Sequence, residues 1–168
     1  ELITGKVRSG GPSHIEVGAS RTAVPYDYLV IATGSSYDSD IKTDNSSLAF
    51  RHQSMLAERD VIKDAKHVVV VGGGLVGVEV SGEIAEAFPG KSVTIVHSRD
   101  RLLPNIKGAH ELASEVLEGL GVKLVLGQRM RRNESAAAVA GGGGTYSTSK
   151  GTRIEADKVI WCTGYVPN

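Results

Sequence analysis

The residues best suited to chemistry stand in VVVVGGGLVGVE, residues 68–79, where Gly72, Gly74 and Gly77 keep a G-x-G-x-x-G spacing between four valines and a helix-forming run. Each glycine answers a separate steric demand. Gly72 permits a tight turn out of a strand, Gly74 lets backbone come close to a pyrophosphate, and Gly77 lets the following helix pack against the strand. Gly73, Leu75 and Val76 complete the loop and the first helical turn. Free N–H groups and the positive end of the helix dipole would there face a diphosphate. Glycine-rich turns also arise for packing reasons alone, but the strand-turn-helix context favours a dinucleotide site.

About 20 residues past the last glycine, a dinucleotide site that holds NAD carries an acid on the ribose 2′-OH. Here that position is His97, followed by Ser98 and Arg99. No carboxylate stands there to accept from a 2′-OH, and all three residues can donate to a 2′-phosphate, so the pattern leans slightly to NADPH without excluding NADH. A solvated loop would use the same residues, and Asp100 remains an alternative acid. Glu79, in the first turns of the helix, points where a nicotinamide ribose would follow the pyrophosphate. It lies four residues before Glu83, an unfavourable spacing in a bare helix, which gives it either a partner elsewhere or a plain helix N-terminal role.

Other candidates fall away. Cys162 is the only cysteine, and it reads as a small space-filling residue at the end of a buried strand. His14, His52, His67 and His110 show no metal-ligand spacing, so no metal is expected, and no Ser-His-Asp arrangement appears. The basic cluster at residues 129–132 reads as a solvated turn.

The elements that must position these groups follow from periodicity. Residues 2–7, 14–17 and 29–32 carry strand patterns separated by turns, which predicts a small β-meander over residues 1–34. Residues 35–66 read as a connector with a helix near 54–63. From residue 67 strands and helices alternate: strands at 68–71, 92–96 and 122–126, helices ending at residues 88 and 120. That alternation predicts a parallel sheet in an α/β domain. SAAAVAGGGG, residues 135–144, reads as a flexible hairpin tip. The 168 residues suffice for one to one and a half domains. With 19 basic and 19 acidic residues, no global field favours a nucleic acid, and no apolar run is long enough for a membrane span. The chain begins without Met, so the expectation is an internal piece of a longer protein, either cytoplasmic or peripheral to a membrane, whose compartment its N-terminus does not reveal.

DYLVIATG, residues 27–34, is echoed by DKVIWCTG, residues 157–164. Together with VVVVGGGLVGVE and SVTIVHSRDRLLP, in this order, these segments resemble the pyridine nucleotide-disulfide oxidoreductase superfamily, the FAD flavoproteins with two dinucleotide-binding domains. Within it they are most similar to the apoptosis-inducing-factor homologues and the ferroptosis-suppressor type of NAD(P)H:quinone reductase. The resemblance implies a Rossmann-like NAD(P)-binding domain at 67–156, inserted into a partial FAD-binding domain represented by residues 1–34 and a return strand at 157–168. It further implies NAD(P)H and FAD as cofactors, hydride transfer from nicotinamide to flavin, and a quinone-like electron acceptor. Thr33 and Gly34 match the turn that passes the FAD, Thr163 and Gly164 the return crossing near the nicotinamide, and Glu79 the family glutamate beside nicotinamide and flavin. A non-catalytic dinucleotide-binding module and a disulfide reductase of the same superfamily are the alternatives.

Overall fold

A computed structural model describes residues 2–37, 47–132 and 143–167. The chain divides into two compact units, residues 1–34 and 35–168.

The first unit is an antiparallel meander of β1 (Val7–Gly10), β2 (His14–Val17) and β3 (Thr22–Pro25). Gly11 N–H donates to His14 O at 2.9 Å and closes the first turn, so pairing starts beside Gly10 and the strand expected at residues 2–7 lies further along the chain. The third strand was not expected, because its four residues end in Pro25 and carry little alternation. Residues 29–32 form no strand in the structure. Tyr28, Val30 and Ile31 are 94%, 86% and 76% exposed, and β-pattern alone does not order a segment that has no neighbouring edge to pair with.

In the second unit a four-stranded parallel sheet has the order β10-β5-β6-β7, built from β5 (His67–Val71), β6 (Ser92–Val96), β7 (Lys123–Val125) and β10 (Lys158–Trp161). A parallel sheet covered on both faces requires continuous apolar strands. The run at residues 68–71 meets that demand. Val68 and Val70 face a core with Ile84 and Ala85 of α2 (Leu75–Ala87) and Leu117 of α3 (Ala109–Gly119). Val69 and Val71 face the opposite core with Tyr146 of β8 (Gly144–Ser147) and Ala156 of β9 (Arg153–Ala156), an antiparallel hairpin. Each fully buried valine contributes about 1.5–3 kcal/mol relative to an exposed one.

The segment at 157–168 begins inside this sheet. β10 pairs with β5 in parallel, and Asp157 staples the two starts together: its Oδ2 accepts from the N–H of Lys66 at 2.9 Å and of His67 at 2.8 Å. Those two backbone bonds hold its carboxyl below the usual carboxylate range. A short pair of β4 (Ser35–Tyr37) with β11 (Tyr165–Pro167) follows. The connector helix α1 (Leu48–Asp64) is longer than its pattern suggested, since Ser47 caps it by accepting from Phe50 N–H. Glu58 of α1 pairs with the buried Lys158 at 2.7 Å. The low-complexity run at residues 135–144 lies mostly outside the described residues, and the observed hairpin turn is at 148–152. Among the described residues, no helix is long and apolar enough to cross a membrane.

Candidate dinucleotide site

Where β5 ends, the chain turns at Gly72 with φ +122, a conformation that strongly favours glycine. A Cβ there would stand 2.2 Å from the Cys162 carbonyl oxygen, so glycine is also what lets β5 and β10 end side by side. Gly77 is equally constrained, since a Cβ on it would lie 1.8 Å from Gly72 O. Gly74 differs. It is the N-cap of α2, in extended backbone with φ −82 and ψ −173, and a Cβ on it would meet nothing within 4 Å. Two glycines are demanded by the protein's own packing. The third only keeps space open at the helix N-terminus.

That space belongs to a cavity of roughly 640 Å³ along the carboxyl ends of the parallel strands, within the usual range of ligand sites. It is lined by Gly72, Gly73 and Gly74 at the centre, His97, Ser98 and Arg99 after β6, and Thr163 and Gly164 after β10. Among the described residues no Asp or Glu lines it, whereas Arg99, Arg129 and Arg132 do. The cavity is therefore electropositive as well as open.

His97 stands at the middle of this wall. Its N–H donates to Val125 O at 2.9 Å, and its ring lies over Gly73, where a Cβ would come within 2.7 Å of it. Its Nε2 is the one buried side-chain nitrogen or oxygen without a hydrogen-bond partner among the described residues. Burial, and next the positive charge of Arg99, push its pKa below the ordinary histidine value, so the ring is neutral at neutral pH. A buried polar atom of this kind calls for a partner that the protein itself does not supply.

The remaining residues sort by place. Leu75 is 66% exposed in the first turn of α2, and Val76 packs on the helix-side core. Glu79 lies on the exposed face of α2 and does not line the cavity. Thr33 and Gly34 close the first unit. Cys162 is buried and its thiol is pushed up to about 11, in keeping with a space-filling residue. The basic cluster at 129–132 is not merely a solvated turn: Arg129 and Arg132 border the cavity, and the Arg132 guanidinium lies 4.4 Å from the Trp161 ring centre. Gln128 and Trp161 were likewise missed. The signal for them was positional, because ligands of open α/β sheets bind beyond the carboxyl ends of all the central strands, not only the first two.

Fold and cavity together give an α/β domain with an open, arginine-lined cavity at the carboxyl ends of its parallel strands, and comparison with known proteins gives its family. The profile of the pyridine nucleotide-disulphide oxidoreductase family matches residues 5–168, so the chain belongs to this family. It is 33% identical to ferroptosis suppressor protein 1 of Xenopus tropicalis over 156 residues, covering 87% of this chain and 40% of that protein. It is 32% identical to apoptosis-inducing factor homolog A of Dictyostelium discoideum, covering 98% of this chain and 45% of the other. The ferredoxin reductase for the CYP199A2 system of Rhodopseudomonas palustris superposes with a TM-score of 0.72 at 24% identity, over all of this chain and 42% of that one, a likeness of fold. The chain spans less than half the length of these relatives.

Proposed function

We propose that this chain is the nicotinamide-nucleotide-binding part of an FAD-dependent NAD(P)H oxidoreductase that passes electrons to a quinone-like acceptor. The observation that carries the reading is the contrast among the three glycines: Gly72 and Gly77 serve packing, while Gly74 serves nothing inside the protein except to leave its helix N-terminus open. Phosphate oxygens fit there, against free N–H groups and the positive helix end. The orphaned Nε2 of His97 and the carboxylate-free, arginine-lined wall suit an anionic nucleotide.

In this reading the glycine turn holds the pyrophosphate, with Leu75 and Val76 in the first helical turn beside it. The loop at 97–99 takes the adenosine ribose, and Thr163 with Gly164 receives the nicotinamide half. NAD(P)H supplies a hydride and FAD accepts it, so the protein needs to orient and to exclude water more than to move protons. That division of labour suits a cavity whose only thiol, Cys162, stays protonated at neutral pH. Glu79, on the exposed face of α2, is assigned to hold the nicotinamide end, and Thr33 with Gly34 to pass the flavin. Residues 1–34 are assigned to the FAD domain.

The test uses Trp161, the sole tryptophan, which stands in the cavity wall. Its emission overlaps the absorption of reduced nicotinamide, so NADPH or NADH should quench it saturably. A folded chain that binds neither nucleotide would sink the proposal. In the full-length protein loaded with FAD, anaerobic NAD(P)H should bleach the flavin and a soluble quinone should restore its colour. Bleaching without restoration would remove the quinone and leave the oxidoreductase.

A further inference from the structure

Gln128 follows β7 in the loop knitted to the adenosine side of the cavity. Its N–H donates to His97 O at 3.0 Å, and the neighbouring Gly127 N–H donates to Arg99 O at 2.7 Å. Residue 128 is thereby fixed beside the loop at 97–99. Its side chain is fixed as well. Thr148 is 1% exposed, and its Oγ1 accepts from the N–H of Thr152 at 3.1 Å and of Lys150 at 3.3 Å. With both lone pairs used, the Thr148 hydroxyl must donate, and its proton goes to Gln128 Oε1 at 2.6 Å. Thr152 Oγ1 donates to the same oxygen at 2.7 Å. Two hydroxyl donors thus saturate the amide oxygen and settle which end of the amide is which.

The consequence lies at the other end of that amide. Both Nε2–H bonds are without an acceptor among the described residues, and Gln128 borders the dinucleotide cavity next to His97, Ser98 and Arg99. The oxygen end faces Thr152, and Gln128 and Thr152 both border a second cavity of roughly 630 Å³. A structural glutamine tying a turn to a sheet would use both ends. This one uses its oxygen alone.

We infer that Gln128, oriented by Thr148 and Thr152, is a specificity-determining donor to the 2′-phosphate of NADPH. The inference rests on the nucleotide reading of the cavity and deepens it. The 2′ position of the adenosine ribose falls at the loop after the second strand, to which residue 128 is bonded on both sides of its own loop. A phosphate there has Arg99 for charge and needs neutral donors to occupy its remaining oxygens, whereas the proton of a 2′-OH needs an acceptor, which Gln128, its oxygen already saturated, does not offer. Thr148 and Thr152 act through Gln128 and are positioning residues.

The decisive variant is Gln128→Glu. A carboxylate still accepts from both threonine hydroxyls, so the turn at 148–152 stays tied, but the end of the side chain that the hydroxyls leave free changes from two donors to an anionic oxygen. Dissociation constants for NADPH and NADH are read on the full chain by Trp161 quenching, with thermal unfolding alongside. NADPH affinity is expected to fall at least tenfold with NADH changed less than twofold. Thr148→Val should weaken NADPH several-fold, and Thr148→Ser should restore it. Unchanged NADPH binding in Gln128→Glu, or an equal loss for both nucleotides, overturns the assignment while the nucleotide site itself stands. Failure of the unaltered chain to bind either nucleotide overturns the nucleotide reading, and this one with it.

Discussion

Gly74→Asp separates stability from binding more cleanly than any other change at the site. The backbone at residue 74, φ −82 and ψ −173, suits any residue, and the new Cβ would meet nothing within 4 Å. Aspartate is also a better N-cap than glycine by a few tenths of a kcal/mol, and its charge is favourable at a helix N-terminus by about 0.3–1 kcal/mol. The variant should therefore unfold at the same temperature as the parent or slightly above it. Binding should suffer. A carboxylate about 5 Å from one phosphate charge is repelled by roughly 0.8 kcal/mol at the dielectric of water and about 3 kcal/mol at an effective value of 20. At about 1.4 kcal/mol per tenfold, and with two phosphate charges in reach, NADPH and NADH affinities should each drop more than tenfold. Gly72→Ala is the counterpart: its Cβ would collide with Cys162 O at 2.2 Å in a left-handed backbone, and it should lose about 2 kcal/mol or more of stability. Paired calorimetric melts and nucleotide titrations read both. A Gly74→Asp protein that melts normally and binds NADPH as before would refute the pyrophosphate assignment outright.

His97→Asp restores an acceptor at the ribose position, and the ratio of NADH to NADPH affinity should rise about tenfold or more in the same titration. Asp157→Asn removes the charge from the staple between β5 and β10, and should destabilise the fold by about 1 kcal/mol at pH 7, an exposed site keeping the loss at the low end. Because the folded-state pKa of Asp157 is depressed, its contribution is present above the unfolded carboxylate value and is lost as pH falls through the folded one. Urea midpoints of parent and variant should accordingly converge as the pH falls through the depressed folded-state value. Cys162, buried with its thiol at about 11, should resist iodoacetamide at pH 8 in the folded chain and react at once in denaturant. Rapid native alkylation would contradict the packing of β10 against β5.

What the sequence made legible was local. Four consecutive valines between a histidine and three glycines specify a buried strand and its turn without help from elsewhere, and the alternation through residue 126 is read the same way. The echo at 157–164 was legible as an echo but not as a place. Whether an apolar run becomes a strand depends on an edge to pair with, and β10 finds one on β5 while residues 29–32 find none. The arginine pair reads as a solvated turn in the sequence for a similar reason. Arg129 and Arg132 follow a three-residue strand, and only the sheet order puts that strand's end on the same edge as the glycine turn, with β6 between them. Gln128 carried only the positional signal of a residue just past a strand end, and its orientation was not legible, since that depends on two threonines about 20 residues later.

The sheet order also dictates how this domain must be made. β5 is an interior strand, yet one of its two neighbours, β10, and the carboxylate that pins its first residue come 90 residues later in the chain. A ribosome moving at about 5–20 residues per second takes roughly 5–20 seconds to cross that interval. For that time the four-valine strand can be zipped to β6 on one side only, with its other edge of amide and carbonyl groups open to any extended chain nearby. Completion is then a late, non-local event, the kind that slows folding. A ribosome stalled before residue 157 should hold a nascent chain that binds chaperone tightly, and one released after residue 161 should not.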